Sequence, residues 1–318
     1  MTESEKRKLI TKVAKLYYYG NMKQENIARM MGISRPKVSR LLSQASQYNI
    51  VHIEIRDNSF YDSDIAETLR AHFDLKYVKV VPSGQIIEDS KNNIGSAASD
   101  YLNGHISDGI NLGITWGTTV NAFVNSFHSS REYAKSNVLQ LAGGTYSQSM
   151  HMDGRELAKK LARKLGGTFS IIEAPLIVHN PDLKKLIIQE PEAKEYFRQM
   201  EKIDIAFIGV GSSNYKNSVI YRAKYVSAAT AKKMYHSGLC DICGHQIDIN
   251  GKEPYPLLAK CHIGISLDTL SRIPLVIGLC AGSDKTFSVI SGIHGRYING
   301  LIIDEVAAIS LMEAEGLS

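Results

Sequence analysis

Residues 24–42 read QENIARMMGISRPKVSRLL. Two short helical patterns meet there at one glycine. In the first, over 23–31, Ile27 and Met31 face inward, and Ala28 is small where a second helix must cross. Gly32 follows, and glycine reaches the left-handed conformation of a tight turn at least cost. Ile33 fills the corner. Ser34 is placed to cap the next helix, and Pro36 falls in its first turn, where a missing N–H matters little. Val38, Leu41 and Leu42 form that helix's inner face. A small residue, a glycine turn and flanking aliphatics at this spacing predict a helix-turn-helix, whose second helix enters the major groove of DNA. Ser34, Arg35, Lys37 and Ser39, with Pro36 among them, are the candidates for groove contact. Lys23, Gln24 and Arg40 read as phosphate contacts, which position the helix without reading bases.

Leu9, Val13, Leu16 and Tyr17 recur upstream at helical spacing and predict an amphipathic helix over 4–19, ended by Gly20-Asn21. Downstream, Val51, Ile53 and Ile55 alternate with His52, Glu54 and Arg56, which predicts a short strand or wing over 50–56. Charge agrees with this reading. Residues 1–56 hold eleven Lys and Arg against four acids, a net +7, whereas 57–318 carry 26 bases and 28 acids. A basic head on a near-neutral body suits a double-stranded DNA partner. The expected domains are 1–56 for DNA and 57–318 for an effector and for oligomer contacts.

From about residue 60 the pattern changes. Short aliphatic runs at 77–81, 110–114, 138–141, 169–172, 205–210, 275–279 and 301–303 alternate with helical stretches. That predicts an α/β body with a mainly parallel, Rossmann-like sheet. In such sheets ligands bind beyond the carboxyl ends of the strands. The loops expected there are Thr115-Trp116-Gly117-Thr118-Thr119, Ala142-Gly143-Gly144-Thr145, Gly211-Ser212-Ser213 and Ala281-Gly282-Ser283-Asp284-Lys285. Glycines let backbone approach a ligand, threonines donate hydrogen bonds, and a helix start favours negative charge. Together they favour a phosphorylated small molecule. No P-loop run occurs.

No apolar run approaches the roughly 18 residues of a membrane span, and the first residues are polar, so a cytoplasmic protein without a membrane partner is expected. Four cysteines in 318 residues are too few for a disulfide scaffold. Two rival readings remain open at this point. A sugar-phosphate isomerase or deaminase would need an acid/base pair, for which Asp241, His245, Asp248 or Asp304-Glu305 could serve. A metal-responsive regulator would use the Cys240/Cys243 pair with His245 and Cys261-His262, ligand types that suit zinc. The preferred expectation is a regulator with no enzymatic activity and no metal.

Several segments, in order, carry a resemblance. They are 24–28, 33–42, 115–119, Gln140-Leu141-Ala142-Gly143-Gly144, Gly209-Val210-Gly211-Ser212, Asp241-Ile242-Cys243-Gly244-His245 and Tyr297-Ile298-Asn299. Together they resemble the SorC family of bacterial sugar-responsive transcriptional regulators, nearly end to end. The resemblance implies a winged-type helix-turn-helix and an effector domain related to glucosamine-6-phosphate deaminases. It implies a homo-oligomer, a tetramer built as a dimer of dimers, repressing a carbohydrate or nucleoside catabolic operon from a palindromic operator until a phosphosugar binds. The implied effector contacts are Gly117, Thr118, Thr119, Gly143, Gly144 and Lys285 for phosphate, and Asp241 for sugar hydroxyls. Many members have glycine where this chain has Cys240, and arginine where it has Thr118, which removes one charge-assisted phosphate contact. Asp284, beside Lys285, has no role in this reading.

Overall fold

The computed structural model describes residues 3–20, 22–48, 50–51, 61–145 and 153–317. The chain forms two compact units, Met1–Ser59 and Phe60–Ser318. The first contains α1 (Glu3–Ala14), extended by one wide π turn over Lys15–Tyr19, then α2 (Gln24–Met31) and α3 (Arg35–Gln47). Gly32 adopts φ 62°, and the Ile33 amide reaches back to the Ala28 carbonyl at 3.0 Å. That pairing satisfies carbonyls the helix end would otherwise leave unpaired, so α2 stops sharply and the chain turns straight into α3. Ile27, Ala28, Val38, Leu41, Leu42 and Ala45 are buried together with Ile10, Val13 and Ala14 of α1. The inner face of α1 thus centres on Ile10, one position beyond the expected Leu9, which is only half-buried. The wing expected over 50–56 lies, beyond Val51, outside the described residues.

The second unit is built on one seven-stranded sheet. Its strands are β1 (Tyr77–Val81), β2 (Asn111–Ile114), β3 (Asn137–Gln140), β4 (Thr168–Ser170), β5 (Ile205–Gly209), β8 (Leu275–Cys280) and β9 (Gly300–Asp304). A separate antiparallel hairpin, β6 (Cys240–Ile242) and β7 (His245–Ile247), completes the set. The sheet order is β1-β9-β8-β5-β2-β3-β4, and every pairing in it is parallel. Apart from the exposed edge strand β4, alternate residues along the strands enter different cores. Leu112, Phe207, Ile277 and Ile302 join one, while Leu139, Ala206, Ile208, Leu301 and Ile303 join the other. Burial on both faces explains why the strands read as continuous aliphatic runs. All seven expected strands are present, with ends shifted by one or two residues. No described helix is long and apolar enough to cross a membrane.

The hairpin was not expected. Cys243 and Gly244 both have positive φ, 53° and 88°, between the paired residues Ile242 and His245. This is the two-residue primed turn, whose twist matches that of the strands it joins. A glycine preceded by one residue and flanked by alternating positions was its sequence signal. Cysteine in place of the usual asparagine or aspartate concealed it.

Among the helices covering the sheet are α4 (Tyr61–His72), α5 (Ile87–His105), α6 (Thr118–Ser126) and α7 (Gly154–Leu165). Two of them, α5 and α6, touch at Gly95. A Cβ there would lie 2.5 Å from the Ala122 carbonyl carbon and 2.7 Å from the Phe123 nitrogen. Gly95→Ala must therefore push the helices apart, costing about 1–3 kcal/mol. A lowered urea midpoint for the body is expected. The same change at Gly104, on the same helix but facing open space, should leave the midpoint unchanged or raise it.

Candidate functional site

From β2 the chain moves outward to β3 on one side, then returns to place β5 on the other. The carboxyl ends of β2 and β5 therefore border the crevice of a topological switch point, where open parallel sheets receive ligands. A cleft of about 470 Å³ opens there. Thr115, Trp116, Gly117, Thr118 and Thr119 line it after β2, as do Gly209, Val210, Gly211 and Ser212 at the end of β5. Lys285 and Asp284 reach it from beyond β8, Lys91 from α5, and Asp241 from the hairpin.

Gly117 caps α6 with φ 123° and ψ 163°, a conformation that strongly favours glycine. Its carbonyl already accepts from the Asn121 amide at 2.9 Å. The first-turn amides of α6 have no carbonyl one turn back, so this end of the cleft wall can bind an anion. Thr115 has another task. Its buried hydroxyl accepts from the Gly209 amide at 3.0 Å and so ties the ends of β2 and β5 together.

Asp284 has a structural role. Its carboxylate accepts from Ser212 Oγ at 2.6 Å, and its main-chain carbonyl accepts from Ser213 Oγ at 2.8 Å and the Ser213 amide at 3.0 Å. The acid beside Lys285 therefore clamps the loop after β8 to the loop after β5. Asp304 does the same for the neighbouring loops, accepting from the Gly282 amide at 2.9 Å and Ser83 Oγ at 3.2 Å.

Asp241 arrives by a close backbone approach. The Gly211 amide donates to the Asp241 carbonyl at 3.2 Å, and a Cβ on Gly211 would sit 2.8 Å from that oxygen. The Asp241 side chain accepts from the Gly244 amide at 3.2 Å and from Gln246 Nε2 at 2.7 Å. Burial pushes its pKa up to about 6, although both hydrogen bonds and the nearby His245 pull the other way.

Gly143 and Gly144 do not line this cleft. Their amides donate instead to the carbonyls of Ile263 and Ala174, at 2.9 and 2.8 Å. A Cβ on Gly143 would strike the Pro175 carbonyl at 2.6 Å. These glycines allow chain segments to pass closely, a use that looks identical in sequence to a ligand loop. Conversely, Lys91, Arg222, Ser218 and Tyr235 line the cleft without any motif to mark them.

On the head, Ser34, Arg35, Pro36, Lys37, Ser39 and Arg40 are all exposed, while Val38 between them is buried. Lys23, Gln24 and Arg35 border one surface hollow with Tyr17 and Tyr18. Arg7, Lys8, Lys12 and Lys15 line a second hollow along α1, a basic ridge that the motif alone did not single out.

Residues 57–313 match the family described as "Putative sugar-binding domain". The chain is 27% identical to the transcriptional regulator LsrR of Enterobacter sp. strain 638, over 99% of this chain and 95% of that protein. It is 25% identical to the deoxyribonucleoside regulator of Bacillus subtilis, over 98% and 99%. The crystal structure of the full-length sorbitol operon regulator SorC from Klebsiella pneumoniae superposes with a TM-score of 0.74, at 26% identity, over 96% of this chain and 98% of that one. The chain belongs to the SorC family of sugar-binding transcriptional regulators.

A regulator has no need of catalytic side chains, and the acids offered for an enzyme are otherwise engaged. Asp248 accepts from the amides of Asn250 and Lys252, both at 2.9 Å. His245 spends Nδ1 on Glu253 and Nε2 on the Ile265 carbonyl, each at 2.8 Å. The cysteines offered for a metal are buried. Burial pushes the Cys240 thiol up to about 11 and the Cys243 thiol higher still, which disfavours the thiolate a metal needs. His262 gives Nε2 to the Cys243 carbonyl at 3.0 Å. Among the described residues no group of three or more such ligands is gathered.

Asp241 makes the regulator's stability depend on pH. Its folded pKa lies above the unfolded value of 3.8, so the folded state binds the extra proton, and stability falls as pH rises from about 4 to about 6. His262 acts oppositely. Burial depresses its pKa, so its contribution is lost as pH falls below 6.5. Asp241→Asn isolates the first effect, because Gln246 can turn its unpartnered Oε1 toward the new amide. The variant should be more stable than the parent at pH 7, by an amount on the order of 2 kcal/mol. The gap should close toward pH 4 in urea titrations.

Proposed function

We propose that this regulator represses a carbohydrate or nucleoside catabolic operon, and that a phosphorylated sugar bound in the cleft controls its hold on double-stranded operator DNA. The observation carrying the reading is the cleft's mixed chemistry. The anion-binding start of α6 and the Lys285 ammonium share one hollow with the carboxylate of Asp241. Amides and a lysine suit a phosphate group, and a hydrogen-bonded carboxylate suits sugar hydroxyls. The names of the relatives, a sorbitol operon regulator and a deoxyribonucleoside regulator, agree with a carbohydrate-type effector. In this reading Gly117, Thr118, Thr119 and Lys285 hold the phosphate and Asp241 holds the sugar. Gly143 and Gly144 shape the surrounding backbone instead.

The head acts as a helix-turn-helix. Ser34, Arg35, Lys37 and Ser39 enter the major groove, with Pro36 setting the start of α3. Lys23, Gln24 and Arg40 grip phosphates. The exposure of Arg35, Lys37, Ser39 and Arg40 on α3, over the buried Val38, Leu41 and Leu42, supports this assignment. The protein works in the cytoplasm, where the operator is.

Operator titrations at fixed salt test both ends of the molecule. Arg35→Ala should reduce operator affinity to that for unrelated duplex while leaving effector binding intact. Parent-like operator affinity would remove α3 from the groove. Lys285→Ala should bind operator normally yet ignore the sugar phosphate that most raises the parent's melting temperature in a phosphosugar panel. A normal effector response would remove the phosphate from Lys285.

One head contacts few base pairs, so paired heads on a palindrome are needed for specificity. We assign a tetramer, a dimer of dimers, to the DNA-bound state. Sedimentation equilibrium of the operator complex should give four chains, and two chains would overturn the assignment.

A further inference from the structure

Tyr235 lies on the helix Ala228–His236 and is 7% exposed. It lines the same cleft as Asp241 and Ser218. Its phenol oxygen is buried, and although the Ser218 hydroxyl lies beside it, the two make no well-formed hydrogen bond. Burial, with the Asp241 carboxylate nearby, raises its pKa far above the ordinary tyrosine value. The group is therefore a neutral O–H at any working pH, able to donate once and to accept. Asp241 accepts from Gly244 and Gln246 and makes no hydrogen bond to the phenol, which leaves its remaining lone pairs, like the phenol, for a ligand. A buried polar group without a partner is uncommon, and its natural partner is whatever enters the space it borders.

Packing alone does not account for the hydroxyl. The ring belongs to a hydrophobic core that includes Met234, Leu239 and Ile242, and phenylalanine would fill that place without burying an unpaired oxygen. The residue arose from no motif and is reached only through the fold.

We propose that Tyr235 is a specificity-determining contact of the cleft, its hydroxyl pairing with a ligand hydroxyl held next to Asp241. The ligand class is then an anionic polyol or sugar phosphate that carries a free hydroxyl at that point. A deoxy analogue leaves the phenol unpaired again and is rejected for that reason. This inference rests on the phosphosugar reading of the cleft.

Trp116, the one tryptophan of the chain, lines the cleft and reports binding by fluorescence. The parent and Tyr235→Phe are titrated as full chains with a set of pentose, hexose and alditol phosphates, and with inorganic phosphate. The parent should bind at least one sugar phosphate more tightly than inorganic phosphate. Tyr235→Phe should weaken that sugar phosphate by about tenfold or more, the weight of one hydrogen bond. It should leave inorganic phosphate within about twofold of the parent, since the anion end is untouched. Its ligand-free melting temperature should equal or exceed the parent's. Parent-like sugar-phosphate affinity in Tyr235→Phe overturns the proposal while the phosphosugar reading stands. A lowered ligand-free melting temperature also overturns it, because the hydroxyl then has a partner in the free protein. If the parent prefers inorganic phosphate to every sugar phosphate, the phosphosugar reading fails and takes the proposal with it.

Discussion

One backbone hydrogen bond, from the Gly211 amide to the Asp241 carbonyl, helps fix the hairpin that brings Asp241 to the cleft. It seats the β6–β7 hairpin against the chain leaving β5, and the adjacent bridge between Val210 and Ile242 continues the contact. The approach is close enough that a side chain on residue 211 has no room. Asp241 is thereby held over a switch point made by strands far from it in sequence. Without that contact the sheet would still offer amides for an anion, but Asp241 would not face them.

The charged groups around the cleft divide by task. Asp284 and Asp304 are consumed in clamping loops after β5, β8 and β1. Thr115 is consumed in joining β2 to β5. The buried ones, at Thr115 and Asp304, make the rim rigid, because breaking either leaves a donor or acceptor stranded away from water. Lys285, the first turn of α6 and Tyr235 form a second class, bordering the open volume. Glycine follows the same division. Gly117 adopts a backbone conformation and opens onto space, whereas Gly143 and Gly211 exist because other backbone presses on them.

Most of the framework is legible in the sequence. Aliphatic runs buried on both faces cannot alternate, so the sheet strands stood out, β4 at the exposed edge least. In the head, Ala28, Gly32 and Val38 carried the turn between α2 and α3, because helix crossing, left-handed backbone and burial each demand a particular residue type. The hairpin was hidden by its three-residue strands and by a cysteine at positive φ. The loop at Gly143-Gly144 resembled a ligand loop because glycine serves close backbone packing and ligand approach equally well.

The sequence by itself determined the partition into a basic head and a neutral body, the helices of the head, the strands of the sheet, and the strand ends after which ligand loops must lie. These follow from local rules, namely periodicity, turn chemistry and charge density, which act over a few residues. Only the tertiary structure decided which loops share one cleft, that Asp284 braces while Lys285 faces the volume, and that Lys91, Arg222 and Tyr235 complete the wall. Lys91, Arg222 and Lys285 alone are separated by 131 and 63 positions in sequence. Strand order in the sheet, which no local pattern encodes, is what brings them together.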